Sequence, residues 1–306
     1  MGNPTEAAAA YPPNHNSAVP PPYSSQQDGH NTYDGYDVPT QELPSYAAPR
    51  AGESPRNIAG VSNRFPQSLN AYFVKNMFSK NFHLGEHSDN KLFAVTMHSG
   101  WTSKPLLELH AGPTDKDPVM ATAENESKWG SGKKTLVEII PSAVGQAWAT
   151  APGSAQGQAP QKISMQQQHN WKHVTHPFSV EVGLGKDVRR EDFEWRRSRG
   201  GEVQSLDKHA GYGFKLVRLS SSAVGQGGER ASRSEGATSD GKEVVAAWSY
   251  NSSWSASKVF KFQYLESGAT GVLGDSFALA ALMTALKIWY MEYLMSQSAV
   301  ASGAGA

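Results

Sequence analysis

The stretch Gly274–Met295, GDSFALAALMTALKIWYMEYLM, constrains this chain more than any other. It reads as one long helix, and no residue from Ser276 to Leu286 carries a charge. Its large apolar residues do not form a single stripe. Phe277, Leu279, Leu282, Met283, Leu286, Ile288, Trp289, Met291 and Leu294 point in all directions at a 3.6-residue period. A helix that is apolar all round has to be surrounded, by protein or by lipid. Leaving these side chains in water would cost on the order of 15–25 kcal/mol at roughly 1.5–3 kcal/mol each. That exceeds the net stability of a typical domain, about 5–15 kcal/mol. The length suits a bilayer span. Against that, Lys287 falls near the middle, Glu292 follows, and no Lys/Arg cluster flanks either end. A protein shell is therefore the expected surround.

The rest of the chain supplies candidates for that shell. From Asn70 onward, apolar and polar residues alternate as in half-buried strands. The expected strands are Tyr72–Phe82, Lys91–His98, Leu106–Ala111, Val119–Glu124, Thr135–Ile140, Pro177–Leu184, Glu191–Arg197, Phe214–Leu219, Val244–Tyr250 and Val259–Leu265. Two polar insertions interrupt them, at about 142–168 and 220–240. No strand–helix rhythm appears, so the sheet should be antiparallel. Strands closed on themselves remove exposed edges and enclose a space. The expected fold is mainly β, a closed antiparallel barrel around a central apolar C-terminal helix at 275–295. The barrel should occupy 66–298, with a flexible tail at 299–306.

Residues 1–65 differ in texture, being rich in Pro, Ala, Ser, Asn and Tyr, and are expected to be disordered. Pro20-Pro21-Pro22-Tyr23 fits a PPxY pattern, and Leu43-Pro44-Ser45-Tyr46 the looser LPxY form. A proline run is already extended, so it docks in an aromatic groove at low entropic cost. Pro20, Pro21, Tyr23, Leu43, Pro44 and Tyr46 are thus candidate contacts for a WW-domain protein, such as a ubiquitin ligase.

Charge excludes little by itself. The formal net charge is zero. Residues 1–60 hold six acids and two bases, net −4, so the remainder carries +4, a bias too mild to suggest nucleic acid. The chain has no cysteine, which excludes disulfides, thiolate metal sites and S-palmitoylation. No apolar leader segment follows Met1, and Glu6 replaces the Ser or Thr of an N-myristoylation motif.

Nothing reads as a catalytic constellation, and the chain is not expected to be an enzyme or to hold a cofactor. His169, His173 and His176 would suit zinc on a helix, but Pro177 disfavours one there. They read instead as a polar loop, and no metal site is expected. Gly225–Gly228 lacks the strand-to-helix setting of a phosphate loop. Basic residues are the better signal. Lys186, Arg189, Arg190, Arg196, Arg197 and Arg199 gather around one strand, with Lys133/Lys134 and Lys258/Lys261 as further pairs. Such groups suit phosphate oxygens or an anionic membrane surface. The bland alternative is neutralisation by Glu191, Asp192 and Glu194.

From Tyr72 to Met295 the layout resembles the tubby C-terminal-like superfamily, which groups tubby domains, LURP-one-related proteins and phospholipid scramblases. The resemblance rests on the strand pattern, Gly183-Leu184 followed by Asp192-Phe193-Glu194-Trp195-Arg196, Gly213-Phe214-Lys215-Leu216-Val217, Gly241-Lys242-Glu243-Val244-Val245-Ala246, and the helix. It implies a barrel of about twelve strands around the helix. It also implies a non-enzymatic adaptor that docks on phosphoinositides or anionic lipid, cytoplasmic or peripheral at a membrane. The Pro/Tyr-rich tail is similar to that of scramblases, so the alternative is a scramblase-like membrane protein using the C-terminal helix. Scramblases share a cysteine-rich run and an acidic calcium-binding segment near the helix. This chain has no cysteine, and Asp275 is the only acid from Ser267 to Leu286. The resemblance therefore does not extend to calcium-activated scrambling.

Overall fold

Alternating side chains over thirteen short segments build one antiparallel sheet. The computed structural model describes residues 65–74, 81–99, 103–127, 133–140, 160–170, 173–221, 236–251 and 257–303. Their strands are β1 (Ser68–Phe73), β2 (Asn81–Gly85), β3 (Phe93–Met97), β4 (Leu107–His110), β5 (Val119–Asn125), β6 (Lys134–Ile139), β7 (Gln161–Gln166), β8 (Gln168–Asn170), β9 (His173–Val182), β10 (Arg189–Ser198), β11 (Gly213–Arg218), β12 (Glu243–Tyr250) and β13 (Lys258–Tyr264). Two one-turn helices, α1 (Gly201–Gln204) and α2 (Glu266–Ala269), precede the long helix α3 (Gly274–Gly303).

The sheet order is β7-β6-β5-β4-β3-β2-β1-β13-β12-β11-β10-β9-β8. Every neighbour is antiparallel, and nearly all are consecutive in sequence. The exception is β1 with β13, where Leu69 pairs with Phe262 and joins the first strand to the last. The two ends of the sheet then approach each other, with β7 lying beside β9. The result is a nearly closed barrel, as expected from the sequence.

Its lumen is filled by α3. From Phe277 to Tyr290 every residue is buried. Strands from around the wall hold the helix. The Trp195 indole donates to Thr284 Oγ1 at 2.9 Å, and the Tyr264 hydroxyl to the Ala278 carbonyl at 2.8 Å. Lys287 Nζ donates to Asn125 Oδ1 at 3.0 Å. Aromatic rings complete the packing: Trp289 meets Phe82 and Phe260, and Phe277 meets Phe193. Gly274–Gln297 is long and apolar enough to cross a membrane, but most of its apolar core, 78 %, lies inside the barrel.

Several segments differ from their sequence reading. Tyr72–Phe82, expected as one strand, is the end of β1 and the start of β2. Phe73 pairs with Phe82 across the hairpin, and the polar residues Lys75, Asn76, Ser79 and Lys80 fall between them. The insertion expected at 142–168 contains β7 and the start of β8. Ile163 and Met165 are buried in the core while Lys162 and Ser164 face out. The histidine-bearing segment, expected as a loop, forms the β8–β9 hairpin. Within the insertion expected at 220–240, Ala237 bridges to Glu243. The helix continues to Gly303, into the expected tail. The proline–tyrosine motifs lie outside the described residues.

Two substitutions test this packing. Leu286→Ala removes a fully buried side chain from the helix and should cost about 3–5 kcal/mol, read as a lower urea midpoint at unchanged slope. Lys287 is 1 % exposed, and burial pushes its pKa down to about 8 from 10.5. The unfolded chain then binds more protons between those values, so stability rises with pH from about 8 until the tyrosines begin to titrate near 10. Lys287→Met should raise stability at pH 7 by about 2 kcal/mol and flatten that rise.

Candidate functional site

Strand β10 separates the six basic residues singled out in the sequence. Successive side chains alternate between the faces of a sheet. Glu191, Phe193 and Trp195 point inward and are buried. Arg189 and Arg197 share that face but fall at the two open ends, about 25 Å apart at roughly 3.3 Å per residue. Arg190 and Arg196 lie on the outer face. The six cations therefore form two groups: Lys186, Arg189 and Arg190 at the end where α3 begins, and Arg196, Arg197 and Arg199 at the other.

Ion pairs occupy part of each group. Arg196 donates to Glu194 at 2.6 Å and reaches Asp240 at 3.0 Å. Arg197 lies over the Tyr212 ring, 3.6 Å from its centre. Arg189 donates to Glu191 at 2.7 Å. Glu191 is held more firmly by Arg218, which donates to its two oxygens at 2.6 and 2.8 Å and also reaches Glu243 at 3.2 Å. Arg218, with Arg189 beside it, keeps the Glu191 carboxyl below its usual range. The bland reading thus holds for Arg189 and Arg196. Lys186 and Arg190 make no ion pair among the described residues, although Glu181 sits opposite Arg190 in the ladder. Of the other pairs, Lys134 meets Glu126 at 2.6 Å and Lys261 meets Asp207 at 3.0 Å.

Around Lys186 the sequence reading overlooked an apolar element. The β9–β10 connection passes through a 3-10 turn, Gly185–Asp187. The Gly183 amide donates to the Leu273 carbonyl at 3.0 Å, so this loop is tied to the segment that leads into α3. The contact needs glycine on both sides. Gly183 has φ +101°, Gly274 has φ +82°, and a Cβ on Gly274 would lie 2.7 Å from the Gly183 carbonyl oxygen. The joined loops present Leu184, Val188 and Val272, which are 46 %, 50 % and 46 % exposed. They rim an open trough of about 670 Å³ that also touches Lys186, Asp187, Arg189 and Arg218. Leu184 ends the strand expected at Pro177–Leu184, but β9 stops at Val182 and leaves it exposed. Val188 and Val272 give no periodic signal, so only the hydrogen bond between the loops reveals the cluster.

Among the described residues, no group of three or more His, Cys, Asp or Glu is placed to share a metal ion. No protein-family model, curated protein or solved structure matches the chain.

The Glu191 pair closes the barrel end beneath this cluster. Glu191→Gln should cost about 2 kcal/mol at pH 7 by removing the charge that accepts two hydrogen bonds from Arg218, leaving Glu243 as its remaining acidic partner. A carboxyl with a lowered folded pKa stabilises above its unfolded value and loses that contribution as pH falls through the folded value. The gap between variant and wild type, measured by urea unfolding, should therefore narrow below pH 4.5.

Proposed function

We propose that this protein is a non-enzymatic docking module that rests on anionic membrane surfaces through the end of the barrel where α3 begins. The observation that carries this reading is the cluster of Leu184, Val188 and Val272, half exposed on two joined loops, beside Lys186 and Arg190. Apolar tips enter the acyl boundary while flanking cations meet lipid phosphates. The opposite end also exposes Leu294 and Met295, but there Arg196 is paired with acids and Arg197 lies on Tyr212.

The magnitudes describe a reversible contact. Burying the exposed halves of three aliphatic side chains contributes about 3 kcal/mol, and Lys186 and Arg190 add about 1 kcal/mol each. That total resembles a single myristoyl chain, which holds a protein only transiently. A second contact would prolong residence. In this reading it comes from the N-terminal segment, whose Pro20–Tyr23 and Leu43–Tyr46 motifs recruit a WW-domain partner. The resemblance to tubby-like proteins points the same way.

The scramblase-like reading has one observation in its favour, the length and apolarity of Gly274–Gln297. It requires the helix to leave the barrel and give up its buried contacts.

Flotation of the full chain with vesicles separates these readings. Binding is expected to phosphatidylserine- or phosphoinositide-containing vesicles, with loss at high salt because exposed charge contacts are screened. Leu184→Asp with Val188→Asp, and separately Lys186→Glu with Arg190→Glu, should each weaken binding about tenfold or more. Arg196→Glu with Arg197→Glu should leave it unchanged. The converse pattern would move the docking face to the other end. Salt-resistant binding would favour insertion of the helix.

A further inference from the structure

Towards the far end of the barrel a cavity of about 130 Å³ lies between α3 and the wall formed by β6, β7, β9 and β11. Its size is close to that of engineered cavities that hold benzene. The floor is Lys287, which is 1 % exposed. An ammonium has three donor hydrogens, yet the only hydrogen bond Nζ makes among the described residues is to the neutral Asn125 amide oxygen. Among the described residues no carboxylate lies within ion-pair distance of it, although a buried cation is normally paired. On the wall stands His176, which is 9 % exposed and whose Nδ1 has no hydrogen-bond partner. Burial pushes the His176 pKa down to about 4, with His169 and Lys287 reinforcing the shift, so the ring is neutral and can donate a hydrogen bond. Arg197 and Lys133 stand at the exposed rim, and Met165, Val174, Phe214 and Ile288 supply apolar wall. The acid of the site, Glu292, is engaged by the hydroxyls of Tyr250 and Tyr212.

We propose that this cavity binds a small organic monocarboxylate with an apolar body about the size of benzene. Its carboxylate accepts hydrogen bonds from Lys287 Nζ and His176 Nδ1–H, and its body packs against Met165, Val174 and Phe214. One negative charge matches one buried ammonium. Arg197 and Lys133 at the mouth draw the anion in. The site lies further along α3 from the membrane-docking surface, about 20–25 Å from Gly274 at 1.5 Å per helical residue, and is independent of it.

Titration of the full chain with sodium benzoate and with sodium butyrate, at ionic strength held constant with chloride, tests the assignment. Saturable binding is expected on the order of a millimolar or tighter by calorimetry, together with a concentration-dependent rise in Tm. Lys287→Met, a swap of similar volume, should weaken benzoate binding about tenfold or more. Met291→Trp, which fills the cavity from its outer side, should abolish binding without touching the buried polar groups. Arg197→Ala should slow association more than it speeds dissociation. Failure of both carboxylates to saturate would overturn the proposal, as would affinity in Lys287→Met within about twofold of wild type. If Lys287→Met does not fold, Met291→Trp decides: unchanged benzoate affinity in that variant rejects the cavity as the site.

Discussion

Burial of one helix on all sides is the constraint from which the rest of this structure follows. A flat sheet can cover one stripe of α3. Only a sheet that curls round can cover Phe277, Leu282, Leu286 and Trp289 together. The β1–β13 pairing joins the first strand to the last, and those strands also carry the rings that meet the helix. Barrel and helix are therefore one cooperative unit. Neither has a stable form without the other, because each would expose an apolar face costing more than a domain's net stability.

Polar contacts act within that frame by fixing the depth and rotation of the helix. Trp195 to Thr284, Tyr264 to the Ala278 carbonyl, and Lys287 to Asn125 reach it from β10, β13 and β5. Each satisfies a buried donor that would otherwise carry a desolvation cost. Lys287 is the outlier, since a neutral amide is a poor substitute for a counter-ion. In the proposed binding of a carboxylate, the adjoining cavity gives that charge a counter-ion.

The two barrel ends divide the chemistry. At the end where α3 begins, ion pairs are spent inward on Glu191, leaving loops with apolar tips beside Lys186 and Arg190, which make no ion pair among the described residues. At the opposite end Arg196 is held by Glu194 and Asp240 and Arg197 by Tyr212, and a cavity lies between α3 and the wall. One face thus suits an extended surface and the other a small solute.

Much of the fold was legible in the sequence because its signals are local and periodic. The helix announced itself by lacking a polar face, and strands such as β9 and β10 by alternation. β7 escaped because only Ile163 and Met165 mark it within a Gln-rich stretch. The split of Tyr72–Phe82 escaped because a hairpin between two aromatic residues looks continuous to a period-two pattern. The candidate sites were less legible. The basic residues were visible as a cluster, but strand geometry carries Arg189 and Arg197 to opposite ends, and only pairing shows which charges are already spent. Leu184 and Val272 are 88 positions apart in the chain and become neighbours through one backbone hydrogen bond. The sequence by itself determined that an apolar helix needed a β shell, since hydrophobic periodicity is a local property. Tertiary structure alone decided which charges remain free and where cavities open, since both depend on partners brought together from distant parts of the chain.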